Sequence, residues 1–130
     1  MNKIQLLDKY PVYVEELAKC ETDCASAGDV IEHLSAQIKD KPGSTLIGVF
    51  DQYAHVKAQP EGKIADDIRD NKHVLFCLSN AIPNPLISAL RPRAISVVEL
   101  ADKFVISYLE APVEATNQVM AGWVAALRKS

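Results

Sequence analysis

The run His73-Val-Leu-Phe-Cys-Leu-Ser79 constrains this chain more than any other. It is apolar for the length of a strand, with Val74, Leu75, Phe76 and Leu78 at its heart, and Pro83 and Pro85 come within a few residues of its end. Neither proline has an N–H to donate, and each holds the residue before it in extended geometry, so neither a ladder nor a long helix passes through. The run therefore reads as a central strand covered on both faces.

The residues beyond the prolines are equally directive. Asn84-Pro85 is a side-chain cap with proline in the first helical position, so Leu86 to Leu90 is predicted to turn once or twice before Pro92 stops it. Arg93 to Leu100 and Lys103 to Leu109 are rich in β-branched and aromatic residues and are separated by little more than Ala101-Asp102. That spacing predicts a hairpin, and a connection so short requires antiparallel pairing.

Upstream, Ile4, Leu6 and Leu7 suggest a short helical lead-in ended by Pro11, and Val12 to Lys19 a first strand. Ser26-Ala-Gly-Asp29 has the spacing of a capping box, and Ala27, Val30, Ile31, Leu34 and Ile38 fall on one helical stripe closed by Pro42-Gly43. Ser44 to Asp51 is predicted as the second strand. Residues 56–71 read as a polar surface connection, a candidate flap, with one helical turn from Ile64 to Ile68. Ala111-Pro-Val-Glu114 opens a last helix whose stripe is Val113, Met120, Trp123, Val124 and Leu127. The expected order is strand, helix, four strands, helix. This is an α+β fold, a curved antiparallel sheet with two helices packed on one face.

With 130 residues, 48% of them hydrophobic and 24% charged, the chain is expected to be one domain, residues 1–130, with a proper core. A net charge of −3 and a pI near 5.6 give no basic footprint, so no nucleic acid and no anionic membrane is expected as a partner. The first eleven residues lack the apolar centre of a signal peptide, and the longest apolar run, Val119 to Leu127, is about half of the roughly 20 residues that cross a bilayer. Three cysteines are an odd count without disulfide-framework density, which fits a reducing compartment, and a cytoplasmic location is expected.

Residues able to carry chemistry gather at predicted strand ends, where scaffolds place ligand-contacting groups. Asp51, Gln52 and His55 end the second strand, and Asn80, Arg91 and Arg93 flank the proline-rich bend. A histidine beside a carboxylate can do acid–base work near neutral pH, and an arginine fork can hold a carboxylate or phosphate. The same aspartate and asparagine are equally ordinary turn formers, and arginines beside proline often only keep a loop solvated. Cys77 lies in the apolar run, where a thiol acts as a small hydrophobe unless the strand end opens on a cleft. Cys20-x-x-x-Cys24 matches neither a redox C-x-x-C nor a zinc-ligand pattern, so no metal and no cofactor is expected.

Val49-Phe50-Asp51-Gln52, Phe76 to Asn80, Leu90-Arg91-Pro92-Arg93 and Ser107 to Pro112 succeed one another in an order with a precedent. Across residues 45–112 the chain resembles the bacterial family called domain of unknown function 302. Gln52 stands where that family has histidine, and Cys77-Leu78-Ser79 where it has a glycine step. The resemblance implies a fold similar to the TATA-binding-protein-like α+β class and a homodimer, and it implies no activity. The resulting expectation is a binding protein for a small anionic or apolar ligand or a protein partner, with Asp51, Gln52, His55, Cys77, Asn80, Arg91 and Arg93 as candidate ligand contacts. The alternative is an enzyme acting through a thiol or through Asp51 and His55.

Overall fold

The computed structural model describes residues 1–129. Six strands are formed, β1 (Asn2–Leu6), β2 (Tyr10–Ala18), β3 (Thr45–Asp51), β4 (Asp70–Cys77), β5 (Arg93–Glu99) and β6 (Lys103–Leu109). The helices are α1 (Ala27–Asp40), α2 (Gln52–Lys57) and α3 (Glu114–Ala125), with single 3₁₀ turns at Lys19–Glu21 and Ile87–Leu90. The strands form one open sheet in the order β1-β2-β6-β5-β4-β3, with every neighbouring pair antiparallel. The expected α+β architecture is the one observed.

The predicted stripe of α1, Ala27, Val30, Ile31, Leu34 and Ile38, is buried in full against the sheet. It meets Val74 and Phe76 of β4, Ile95 and Val97 of β5, Phe104 and Ile106 of β6 and Leu17 of β2 in one core. From α3 come Met120, Trp123 and Val124, with the Trp123 ring edge-on to Phe76 at 5.3 Å. Ser26 caps α1 by accepting the Asp29 N–H at 3.1 Å, and Asp29 reaches back one residue further than in a standard box, to the N–H of Ala25 at 2.9 Å.

A second anchor for α1 comes from across the sheet. Glu99, at the end of β5, accepts the Ala27 N–H at 2.8 Å and the Lys19 ammonium at 2.7 Å. Its carboxylate thus satisfies an orphan donor of the helix's first turn and adds negative charge where the dipole favours it. Burial by itself works to raise this carboxyl's pKa, and the bonds from Lys19 and Ala27 outweigh it, leaving it below the usual glutamate value.

Four expectations are corrected. Residues 1–11 hold no helix. Ile4 and Leu6 alternate with period two, pair with Val12 and Tyr10, and make Asn2–Leu6 an edge strand, because a partner strand lies within hairpin reach. The run from His73 is not covered on both faces. Val74 and Phe76 are buried under the helices, while His73, Leu75 and Cys77 point to the other side and are only half-buried. Residues Gln52–Lys57 leave the second strand as a short helix, because Asp51 caps it by accepting the Ala54 N–H at 2.9 Å, and Ile64 to Ile68 holds only a turn. Val113 does not join the stripe of α3. It is the N-cap and is exposed, and Asn117 takes a buried position on the inner face.

Two consequences are measurable. The β1–β2 turn puts Leu7 at φ 54° and Asp8 at φ 58°, a left-handed pair that asparagine and glycine adopt far more easily. The double substitution Leu7→Asn/Asp8→Gly is expected to raise unfolding free energy by about 1 kcal/mol in urea titrations, and an unchanged midpoint would contradict the left-handed turn. Because the Glu99 carboxyl is lowered in the folded state, its contribution is complete above the unfolded value near 4.5 and is lost as pH falls through the folded one. Glu99→Gln should cost about 1–2 kcal/mol at pH 7 and flatten the decline in stability as pH falls below the unfolded glutamate value.

Candidate functional site

Alternation along the strands decides which side chains face away from the helices. On β2, β6 and β5 these are Val12, Val14, Val105, Ser107, Leu109, Ala94, Ser96 and Val98, and β1 adds Ile4 and Leu6. Most are apolar, and neither α1 nor α3 covers them. At the far end of β4 the short helix α2 partly shields this side, with Gln52 Oε1 3.1 Å from His73 Nε2 and the His73 ring stacked on Phe50 at 6.1 Å. Burial pushes the His73 imidazole below its ordinary pKa, which favours the neutral ring at pH 7.

Along this face runs a groove of about 560 Å³. Val12, Ala94 and Leu109 form apolar walls, Ser96 and Ser107 lie opposite each other on paired strands, and His73 and Arg93 bring polar atoms to it. The turn Ile87–Leu90, held by the Asn84 side-chain carbonyl accepting the N–H groups of Leu86 and Ile87 at 2.9 Å, contributes Leu90 and Ala89.

Around the end of the sheet lies a second recess of about 140 Å³. Cys77, Ser79, Arg91 and Arg93 line one side and Ala111, Pro112, Val113 and Thr116 the other, and Leu90 and Arg93 border both this recess and the groove. Buried Asn117 fixes its helical wall. Its side chain accepts the Ala111 N–H at 2.7 Å and donates to the Ala111 carbonyl at 3.0 Å, while its own backbone carbonyl accepts from the Tyr108 hydroxyl at 3.2 Å. Tyr108 is pushed up to about 12, first by burial and then by Tyr13, so it stays a hydroxyl donor.

Comparison with known proteins gives a family. The model for the family of unknown function DUF6858 matches residues 1–129. The chain belongs to DUF6858. No curated protein and no solved structure matches. The match is to DUF6858 and does not confirm the resemblance to the domain of unknown function 302.

In this DUF6858 chain the seven sequence-predicted contacts divide between two ends of β4. Asp51 pairs with Lys72 at 3.1 Å, and the Ala54 N–H and the Lys72 ammonium hold its carboxyl below the usual range. His55 is exposed and lies against Phe50, with ring centroids 5.4 Å apart. Among the described residues no hydrogen bond joins Asp51 to His55. Gln52 bears on the groove through His73. At the other end Cys77, Arg91 and Arg93 line the recess, whereas Asn80 is exposed in the adjoining loop. Arg91 donates to the Ala81 carbonyl and Arg93 to the Leu109 carbonyl.

Sequence reasoning missed Ser96, Ser107, His73 and Thr116. The signal for the serines was present, since each interrupts an apolar strand at the alternate position that faces away from the core. Thr116 and the start of α3 reach the recess only through tertiary packing. All three cysteines are free, with Cys20 exposed and Cys24 packed against the core. Among the described residues no group of three or more His, Cys, Asp or Glu could hold a metal ion, and no helix is long and apolar enough to cross a membrane.

Asn117→Ala removes the amide and strands two backbone groups of Ala111. It is expected to cost about 2–3 kcal/mol in chemical denaturation, and a loss below about 0.5 kcal/mol would show that Asn117 does not hold the start of α3.

Proposed function

We propose that this protein binds a small, largely apolar molecule in the groove on the face of the sheet that α1 and α3 leave uncovered. The single observation that carries the reading is the groove itself. Its volume of about 560 Å³ falls inside the range of roughly 300–1,000 Å³ common to small-molecule sites, and apolar walls with a few convergent polar groups are what such sites present. Ser96 and Ser107 offer hydroxyls to orient a ligand, and His73, held by Gln52, offers a neutral ring nitrogen.

A homodimer is the second part of the proposal. Ile4, Leu6, Tyr10 and Leu109 are between 44% and 56% exposed along the rim, more apolar surface than isolated scatter accounts for. A second copy laid on this face would bury the rim and roof the groove. A resemblance to the domain of unknown function 302, and with it to the TATA-binding-protein-like class, belongs here too, supported by the succession β2, α1, β3, β4, β5, β6, α3, which only the short α2 interrupts.

Ser107→Trp places an indole in the groove from its exposed side and spares the core. Molecules that raise the melting temperature of the wild type are expected to bind this variant at least about tenfold more weakly, read by calorimetric titration. Unchanged affinity would remove the groove as the binding site. Leu109→Glu should shift sedimentation equilibrium towards the monomer, and a monomeric wild type would end the dimer proposal.

A further inference from the structure

The recess beside the groove has the chemistry of an oxyanion site. Arg91 and Arg93 both line it, and among the described residues each donates to a backbone carbonyl and neither pairs with a carboxylate. The Nε–H of Arg93 is buried with no acceptor among the described residues. A buried donor of this kind is costly unless something accepts from it. The opposite wall is the first turn of α3, a helix of 12 residues whose N-cap, Val113, supplies no side-chain acceptor. The Val113 carbonyl accepts the Thr116 N–H at 3.1 Å, and among the described residues the N–H groups of Glu114 and Ala115, between the lining residues Val113 and Thr116, have no acceptor. The positive end of the helix dipole adds to the two guanidiniums. Ser79 and Thr116 complete the lining with hydroxyls. The acid in this turn, Glu114, reaches towards the Asn117 amide at 3.4 Å, so the helix end is not left to a free carboxylate alone.

Recess and groove meet at Leu90 and Arg93. From that juxtaposition we infer that the ligand is an apolar molecule with a terminal oxyanion, its body along the groove and its carboxylate or phosphate monoester in the recess against Arg93, Arg91 and the start of α3. This rests on the groove reading above and adds the ligand's chemical class. Arginine suits the task because its planar fork matches either anion and keeps its charge when half-buried. Thr116 sits in the third position of the helix, so a side chain there controls the charge of the recess without touching the groove.

Calorimetric titration of the full chain with octanoate, octyl phosphate and 1-octanol separates the two ideas. One or both anions should bind at least about tenfold more tightly than octanol, and their ranking identifies the headgroup. Arg93→Gln should reduce the anion to the level of octanol. Thr116→Glu, favourable for the helix but anionic in the recess, should do the same, which covers the case where Arg93→Gln folds poorly. Octanol bound as tightly as both anions would overturn the oxyanion site and leave the groove standing, as would an anion preference that survives both substitutions. If none of the three binds, groove and oxyanion site fall together.

Discussion

Two amphipathic helices cover one side of a six-stranded sheet, and nothing of comparable size covers the other. Everything else in the molecule depends on that imbalance. The core is complete on the helix side, where Leu34, Phe76, Ile95, Phe104 and Met120 have no exposed surface at all. On the opposite side the same strands carry valines, leucines and serines whose burial falls to whatever else the chain can bring. Helix α2 and the Ile87–Leu90 turn bring something at two margins, and between them the groove remains. An antiparallel sheet tolerates one solvated face, but natural ones usually make it polar, and this one is not.

The polar interactions of the fold concentrate where elements change direction. Glu99 ties the start of α1 to the sheet, and Asn117 with Tyr108 ties the start of α3. The two ties differ in what they leave over. At α1 the Glu99 carboxylate accepts the Ala27 N–H and Ser26 accepts the Asp29 N–H. At α3 the amide of Asn117 is spent on Ala111, before the helix begins, so among the described residues the first two donors of α3 have no acceptor and Arg93 pairs with no carboxylate. The difference between these two helix starts is why one is structural and the other is a candidate for recognition.

Much of this was legible in the residues. The central strands and α1 came from periodicity, and Ser26, Asn84 and Pro42-Gly43 marked ends that the chain respects. The misses have physical reasons. Residues 1–11 look helical by composition, but Ile4 and Leu6 gain more by pairing with β2, a contact no local propensity encodes. His73 to Ser79 is as apolar as a doubly covered strand, and only the count of helices available to cover it reveals the exposed side. The candidate residues were legible one by one, not as a set. Arg91, Arg93 and Cys77 meet because β4 ends where β5 begins, while Asp51 and His55 lie at the other end of β4, a separation that depends on register.

The most direct test is a methyl-resolved NMR titration of the full chain with octyl compounds. If the uncovered side takes the ligand, shifts will be confined to its methyls, among them Val12, Leu90 and Leu109, with Val30, Leu34 and Ile38 beneath the helices unmoved. Shifts centred on the helix side, or none at saturating concentrations, would contradict the claim that the bare face of the sheet is where this protein meets its ligand.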